Sequence, residues 1–259
     1  VTGGPGALPV PRGDDELAAL ARTLNRMLDR LEEASARQRS FVADAAHELR
    51  SPIAALRATL DVARTHPDSY APGELVEELA GEVARMQVLV DDLLLLARVG
   101  SRPLRATRVD LREVVEQVLA APGEPWTTVA AGVSSASGSS GVTVQVIGDG
   151  AATADAGALA RVVRNLVENA ARHATSAVQV TLAEGRVTVD DDGPGIPEPD
   201  RERVFERFVR LDDSRQRGAG GAGLGLAIAR ELAREQDGDV RLTNSPAGGL
   251  RALLTLPPN

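Results

Sequence analysis

The sequence predicts an α+β protein of two domains: an antiparallel helical hairpin that pairs with a second copy as a four-helix bundle, then an α/β sandwich. Three observations lead there. At 259 residues the chain is long enough for two separate cores. Up to about residue 99 the apolar residues recur at alternating four- and three-residue steps, the mark of helices that pack on helices. After Gly100 that period gives way to short strand-like runs alternating with helical segments, divided by Gly and Pro.

Composition narrows the function. Hydrophobic content of 43% and charged content of 25% are ordinary for a globular chain, which excludes wholesale disorder. Cysteine is absent, so disulfides, zinc-thiolate sites and thiol nucleophiles are excluded together. The net charge is −8, every basic residue is Arg, and no basic patch stands out, so nucleic acid is not an expected partner. The longest apolar runs, such as residues 93–97, fall far short of a membrane span, and the first residues do not form a signal peptide. The chain itself reads as soluble. It begins at Val1 and enters a helix almost at once, which reads as a fragment of a longer protein.

Residues 1–13, rich in Gly and Pro, read as a connector. Asp14 and Asp15 start a helix on which Leu17, Leu20, Leu24, Leu28 and Leu31 follow at heptad-like spacing, implying helix pairing. The pattern runs on through residues 41–56, where Ala45, Leu49, Ile53, Leu56, Leu60 and Ala63 form one stripe. His47 lies two residues from both Ala45 and Leu49, so it points away from that stripe into water. By itself that makes it either a solvated surface histidine or a reactive one. Pro52 removes the N–H that would bond to the Glu48 carbonyl, so a bend is expected just after His47. The helix should stop near His66 and Pro67, turn over residues 68–73, and resume from Glu74 to about Val99. Leu79, Val83, Met86, Val90, Leu93 and Ala97 form the stripe of this second helix. One hairpin cannot cover both stripes and two can, hence the expected homodimer.

In the second domain Asp110 is a plausible N-cap for a helix over residues 111–120. Residues 122–141, Gly/Ser-rich, read as a flexible loop. A strand over residues 142–147, a helix over 156–174, a hairpin of 178–182 with 187–191, a helix over 224–236 and a last hairpin of 240–244 with 250–256 complete the sandwich.

Four strings carry chemistry. Asn165 and Asn169 stand four apart on one face of a mostly apolar helix. Buried amides there either make hydrogen bonds between elements or offer oxygen to a hard cation such as Mg²⁺. Next, Asp190, Asp191 and Asp192 run from a strand into Gly193, Pro194 and Gly195. This is either a solvated turn or a site where Asp191 accepts a hydrogen bond from the amino group of adenine, with Gly193 and Gly195 admitting the ligand close to the backbone. Third, Phe205 and Phe208 stand among Arg207, Arg210, Arg215 and Arg217. They read either as a packed amphipathic helix or as a lid whose arginines reach phosphates. Last, residues 218–225 are a Gly-rich run opening a helix, either a linker or a phosphate cradle at the positive end of a helix dipole.

In this order, and preceded by His47-Glu48-Leu49-Arg50-Ser51-Pro52, the strings resemble the sensor histidine kinases of bacterial two-component systems over residues 14–256. The run from Asp14 to Leu31 resembles the second half of a HAMP signal-relay module, which implies membrane helices and a sensor upstream. The resemblance implies a partial HAMP segment and connector over 1–33, a dimerisation and phosphotransfer domain over 34–100, and an ATP-binding domain over 107–259 with the fold of the gyrase and heat-shock ATPases. It implies His47 as phosphoacceptor, Glu48 as the group that orients the ring and takes its proton, and Ser51 as the orienter of water for dephosphorylating the partner. ATP would be held by Asn165, Asn169, Arg172, His173, Asp191, Gly193, Gly195, Phe205, Phe208, Arg215, Gly221, Gly223, Leu224 and Gly225. Mg²⁺ would bind Asn169, with Glu168 as a second candidate ligand. The implied partners are a second copy and the receiver domain of a response regulator, and the implied place is the cytoplasmic portion of a bacterial membrane receptor. Relatives often carry Thr or Asn at the position of Ser51, Tyr at that of His173 and a hydroxyl residue at that of Ala222. A turnover ATPase, a serine kinase or an inactive dimeric scaffold are the competing readings.

Overall fold

In the computed structural model the described residues are 16–66, 71–98, 105–121, 127–130, 133–134, 141–211 and 222–257. They divide into two units, residues 1–88 and 89–259, and each is treated by itself.

The first unit is helical. Helix α1, Glu16–Thr65, is one continuous 50-residue helix that runs through Pro52. Helix α2, Pro72–Arg98, begins two residues before the expected Glu74, and Ala71 N–H donates to the Glu74 carboxylate at its start. Thr59 of α1 donates to Glu78 of α2 across 3.1 Å. Much of the apolar stripe of α1 is open in the single chain: Leu20, Leu24, Leu31, Ile53 and Leu60 are all exposed. On α2 the expected stripe is covered only in part within the single chain. Leu75, Leu79 and Met86 are half-buried, whereas Val83 and Val90 are exposed at 49% and 39%. A leucine-rich helix offers two adjacent four-three stripes, and spacing alone does not choose between them. No helix among the described residues is long and apolar enough to cross a membrane.

The second unit takes in the end of α2, where Leu89, Leu93 and Leu96 are buried on one face together with Asp92. Asp92 pairs with Arg161, further along the chain. Strand β1, Thr107–Asp110, leads straight into α3, Leu111–Leu119, where the Asp110 carboxylate caps the helix by accepting from Arg112 N and Glu113 N. That expectation holds. The segment read as a loop over residues 122–141 contains two short strands, β2 at Thr127–Ala130 and β3 at Val133–Ser134. A further strand that periodicity did not signal, β5 at Ala151–Ala154, pairs antiparallel with β1. Its three alanines are poor strand formers, and long-range pairing overrides them.

Strand β4 is Thr143–Ile147, α4 is Ala156–His173, β6 is Ala177–Ala183 and β7 is Arg186–Asp191. Helix α5 is Gly225–Arg234, and β8 at Asp239–Asn244 with β9 at Leu250–Thr255 closes the fold. The main sheet has seven strands in the order β3-β2-β4-β6-β7-β9-β8. Helices α3, α4 and α5 pack together, with α4 against β6 and β7 and α5 against β8. The core lies between the layers: Leu159, Val162, Val163, Leu166 and Val167 of α4 meet Val178, Val180, Val187, Val189 and Leu254 of the sheet, all at most 1% exposed. This is the expected α/β sandwich, and it leaves the end of β7, the end of α4 and the start of α5 together on one rim.

Candidate functional site

In the first unit, His47 is exposed on α1, as its offset from the apolar stripe requires. Glu48 is half-buried and Ser51 exposed. Arg50, one turn on, places its Nη1 3.4 Å from His47 Nδ1. A guanidinium has no acceptor, so a neutral ring that takes this hydrogen bond takes it through Nδ1 and carries its proton on Nε2. Sequence reading did not single out Arg50, although i,i+3 spacing on a helix brings the two within reach.

The second unit builds a pocket from three elements. The first is the tail of β7, whose three consecutive aspartates are pinned in three directions. Asp190 receives both arms of Arg251 from β9, at 2.8 and 2.9 Å. Asp192 accepts from Thr175 N, Ser176 N and Ser176 Oγ at 2.8, 3.0 and 2.6 Å, and from Ala177 N at 3.2 Å. Those donors, the Ser176 hydroxyl first, hold its carboxyl well below the usual carboxylate range. Between them Asp191, 2% exposed, faces the helical layer; its Oδ1 accepts from Gly193 N at 2.9 Å and Leu250 N at 3.1 Å. Oδ2 makes no hydrogen bond among the described residues. Burial raises the Asp191 pKa, and the two N–H groups oppose that rise.

The second element is α4. Arg161, Asn165 and Asn169 follow one another at four-residue steps and so share a face. Asn165 is 7% exposed and its Nδ2 is buried with no hydrogen-bond partner in the described structure. Asn169 and Glu168 are half-buried on the next turn, and Arg172 and His173 end the helix, both exposed. One side of His173 is crowded all the same: desolvation, then Arg172, lowers its pKa, while nearby Asp191 opposes the shift. Gly193 is packed so closely under α4 that a Cβ would lie 2.3 Å from the His173 carbonyl oxygen.

The third element is the start of α5. Leu224 stands at the N-cap, and among the described residues no side chain caps the first N–H groups of this ten-residue helix. Asn165 lies beneath that end, with Oδ1 3.9 Å from where a Gly225 Cβ would be. Gly223 takes φ +72° and Gly195 takes φ +71°. The former accommodates Phe208, itself at φ 64°, whose N–H donates to the Gly223 carbonyl at 3.0 Å. In its described part, up to Leu211, the Phe-Arg segment forms two short 3₁₀ turns, Glu198–Asp200 and Arg203–Phe205, rather than an amphipathic helix. Phe205 lies under Arg230 of α5, 4.2 Å from guanidinium to ring centroid. Arg215, Arg217 and Gly221 lie outside the described residues.

The rim thus offers a carboxylate with one free oxygen, an orphaned buried amide donor and an uncapped helix N-terminus. These groups are complementary to an amine-bearing base at one end and an anion at the other. Among the described residues no cluster of three or more His, Asp or Glu side chains forms a ready-made metal cage.

Comparison with known proteins gives three family matches: the histidine kinase-, DNA gyrase B- and HSP90-like ATPase over residues 154–259, the His Kinase A phospho-acceptor domain over 37–102, and the HAMP domain over 5–33. The probable sensor histidine kinase TcrY of Mycobacterium tuberculosis is 39% identical over 89% of this chain and 50% of its own length. The signal transduction histidine-protein kinase BaeS of Escherichia coli is 32% identical over 95% of this chain and 52% of its own. The chain spans about half the length of the curated relatives it matches. Among solved structures, the Acinetobacter baumannii histidine kinase AdeS aligns with a TM-score of 0.61 at 22% identity over 82% of this chain and 98% of that one, a likeness of fold.

Proposed function

As the chain belongs to the sensor histidine kinases of two-component systems, we propose that it binds ATP with Mg²⁺, phosphorylates itself on His47 and passes the phosphoryl group to an aspartate of a response-regulator receiver domain. The observation that carries this reading is the presence, in one chain, of an exposed helical imidazole and a rim whose unsatisfied groups fit the two ends of ATP. Asp191 Oδ2 accepts from the adenine amino group. Gly193 and Gly195 let the base approach the backbone, and His173 flanks it. The open N–H groups of α5, with Leu224 and Gly225, and the Asn165 amide meet the phosphates. Asn169 would supply an oxygen to Mg²⁺, with Glu168 as the second candidate ligand. When bound, Mg²⁺ would offset the negative charge of the phosphates.

His47 attacks through a ring nitrogen: an N–P bond forms to the γ-phosphorus as the P–O bond to the β-phosphate breaks, and ADP leaves. Glu48 takes the ring proton. For Nε2 to attack with its lone pair, the proton must sit on Nδ1, so Arg50 has to leave that nitrogen to Glu48. Ser51 orients water when the receiver domain is dephosphorylated. The open stripe of α1, with Val83 and Val90 of α2, supports a homodimer, the second copy covering what one hairpin leaves bare. The matched HAMP segment supports a place on the cytoplasmic side of a membrane receptor.

γ-Radiolabelled ATP should leave an acid-labile, alkali-stable label on the chain that His47→Gln abolishes. Asn169→Ala should lose both label and nucleotide binding. An undiminished label on His47→Gln would overturn the assignment.

A further inference from the structure

Asp191 is held by its neighbours rather than by its own rotamer. Its Oδ1 is committed to Gly193 N and Leu250 N, and only Oδ2 is left for a ligand. The donor from β9 is a backbone group, so its position depends on where β9 begins. That point is the end of the β7–β9 ladder: the last paired rung is Asp190 with Arg251, after which β7 leaves for Gly193 and β9 emerges from the turn over residues 245–249. Beyond that rung Asp191 stays paired with Val178 of β6 and Leu250 with Asn244 of β8, so each strand is held on its other edge. Across the β7–β9 seam itself the tie is a two-point fork, with Nε and Nη2 of Arg251 on the two oxygens of Asp190 at 2.8 and 2.9 Å.

The geometry places cause and effect on adjacent residues. Arg251 follows Leu250, and Asp190 precedes Asp191. The ion pair lies on the outer face of the sheet and the Asp191 carboxylate on the inner face. Asp190 is only 5% exposed, so without its guanidinium it becomes a buried, uncompensated charge. Turning toward water, it would loosen the β7–β9 seam at the rung next to Leu250, whose N–H holds Asp191 Oδ1. The fit leaves no slack to absorb such a shift: a Cβ on Gly249 would already stand 2.2 Å from Asp191 Oδ1.

We propose that Arg251 and Asp190 are positioning residues for nucleotide recognition, an ion pair on the far side of the sheet that aims the free oxygen of Asp191 and so sets the discrimination for a base bearing an exocyclic amine. This rests on the ATP reading above. It assigns a role in base selectivity to two residues that touch no ligand, and it separates that role from affinity for the triphosphate, which α5 and Asn165 serve.

The test compares two nucleotides on the full 259-residue chain: ATP, and purine riboside 5′-triphosphate, which lacks the amine. Titration calorimetry gives Kd for each with wild type, Arg251→Gln, Arg251→Lys and a control, Arg241→Gln, which removes an exposed β8 arginine paired with Asp239. Wild type and control should prefer ATP by roughly tenfold to a hundredfold, the worth of one charge-assisted hydrogen bond. In Arg251→Gln that preference should shrink to about threefold or less, with the analogue still bound within about twofold of wild type. Arg251→Lys, charged but unable to fork, should fall between. If Arg251→Gln keeps the full preference, or weakens both nucleotides equally, the positioning role is overturned. If wild type binds neither nucleotide, the ATP reading fails first and takes this one with it. If wild type binds both equally, ATP binding survives and the role assigned to Arg251 does not.

Discussion

Gly193→Ala probes the tightest backbone approach in the pocket. The added methyl would sit 2.3 Å from the His173 carbonyl oxygen and 3.0 Å from Asp191 Oδ1. The first distance is about 1 Å inside ordinary non-bonded contact. The obstacle is not a flexible side-chain end, because the His173 carbonyl belongs to the last residue of α4, and residues 175–177 just beyond it are fastened to Asp192. The overlap is relieved only by moving the end of α4 away from the end of β7. Overpacking of this kind costs about 1–3 kcal/mol. Taking about 2 kcal/mol in a unit of about 170 residues, Tm should fall by roughly 4–8 °C. The same displacement parts Asp191 from His173 and should weaken ATP by about tenfold, the loss of one well-made hydrogen bond. Melting by circular dichroism and nucleotide titration on one preparation measure both effects. Gly73→Ala, with nothing within 4 Å of the added methyl, is the control expected to change neither. A Gly193→Ala protein that melts with wild type and binds ATP equally well would refute the packing argument.

Two further outcomes follow from the same unit. Asp92→Ala leaves Arg161 without its carboxylate, while Arg161 Nε already lacks a partner in the described structure, and should cost about 2 kcal/mol in urea denaturation. Asp92→Leu with Arg161→Met should recover most of that, and an equal loss in the double variant would contradict the desolvation argument. His173 has its pKa lowered from 6.5, chiefly by desolvation. Above 6.5 folded and unfolded forms are both neutral there and the group contributes nothing to pH dependence. As pH falls below 6.5 the unfolded chain takes up the proton first, so stability declines until the lowered folded value is reached. His173→Gln should flatten that part of the acid slope, and an NMR titration placing His173 at or above 6.5 would contradict it.

What could be read from the chain, and what could not, divides by range of interaction. The Asp110 cap, the exposed face of His47 and the two hairpins of the second unit rest on neighbours a few residues apart, and they appear where spacing puts them. Strand β5 was hidden because it exists through pairing with β1, against weak local propensity, and β2, although Thr127, Thr128 and Val129 favour strand, was masked by the Gly/Ser-rich stretch around it. On α2 the apolar residues allowed two stripes, and burial selected the one through Leu89 and Leu96. At the site, Asp191 and the glycines stood out by type and spacing. Asp190 and Asp192 looked like an undifferentiated acidic run, and only their partners, Arg251 at 61 residues and Ser176 at 16 residues along the chain, give them separate tasks. Arg50 had only its i,i+3 spacing from His47 to mark it, and the pairing of Asp92 with Arg161, 69 residues away, left no local signal.

Helix α1 has a mechanical side. Fifty residues at about 1.5 Å each make a shaft about 75 Å long, unbroken from Glu16 to Thr65. Almost every turn is stiffened by the same ladder of hydrogen bonds, except where Pro52 has no N–H to give to Glu48. A shaft with one compliant collar does not share torque evenly. Twist applied at either end would be taken up first at that collar, the turn from Glu48 to Pro52 that directly follows His47.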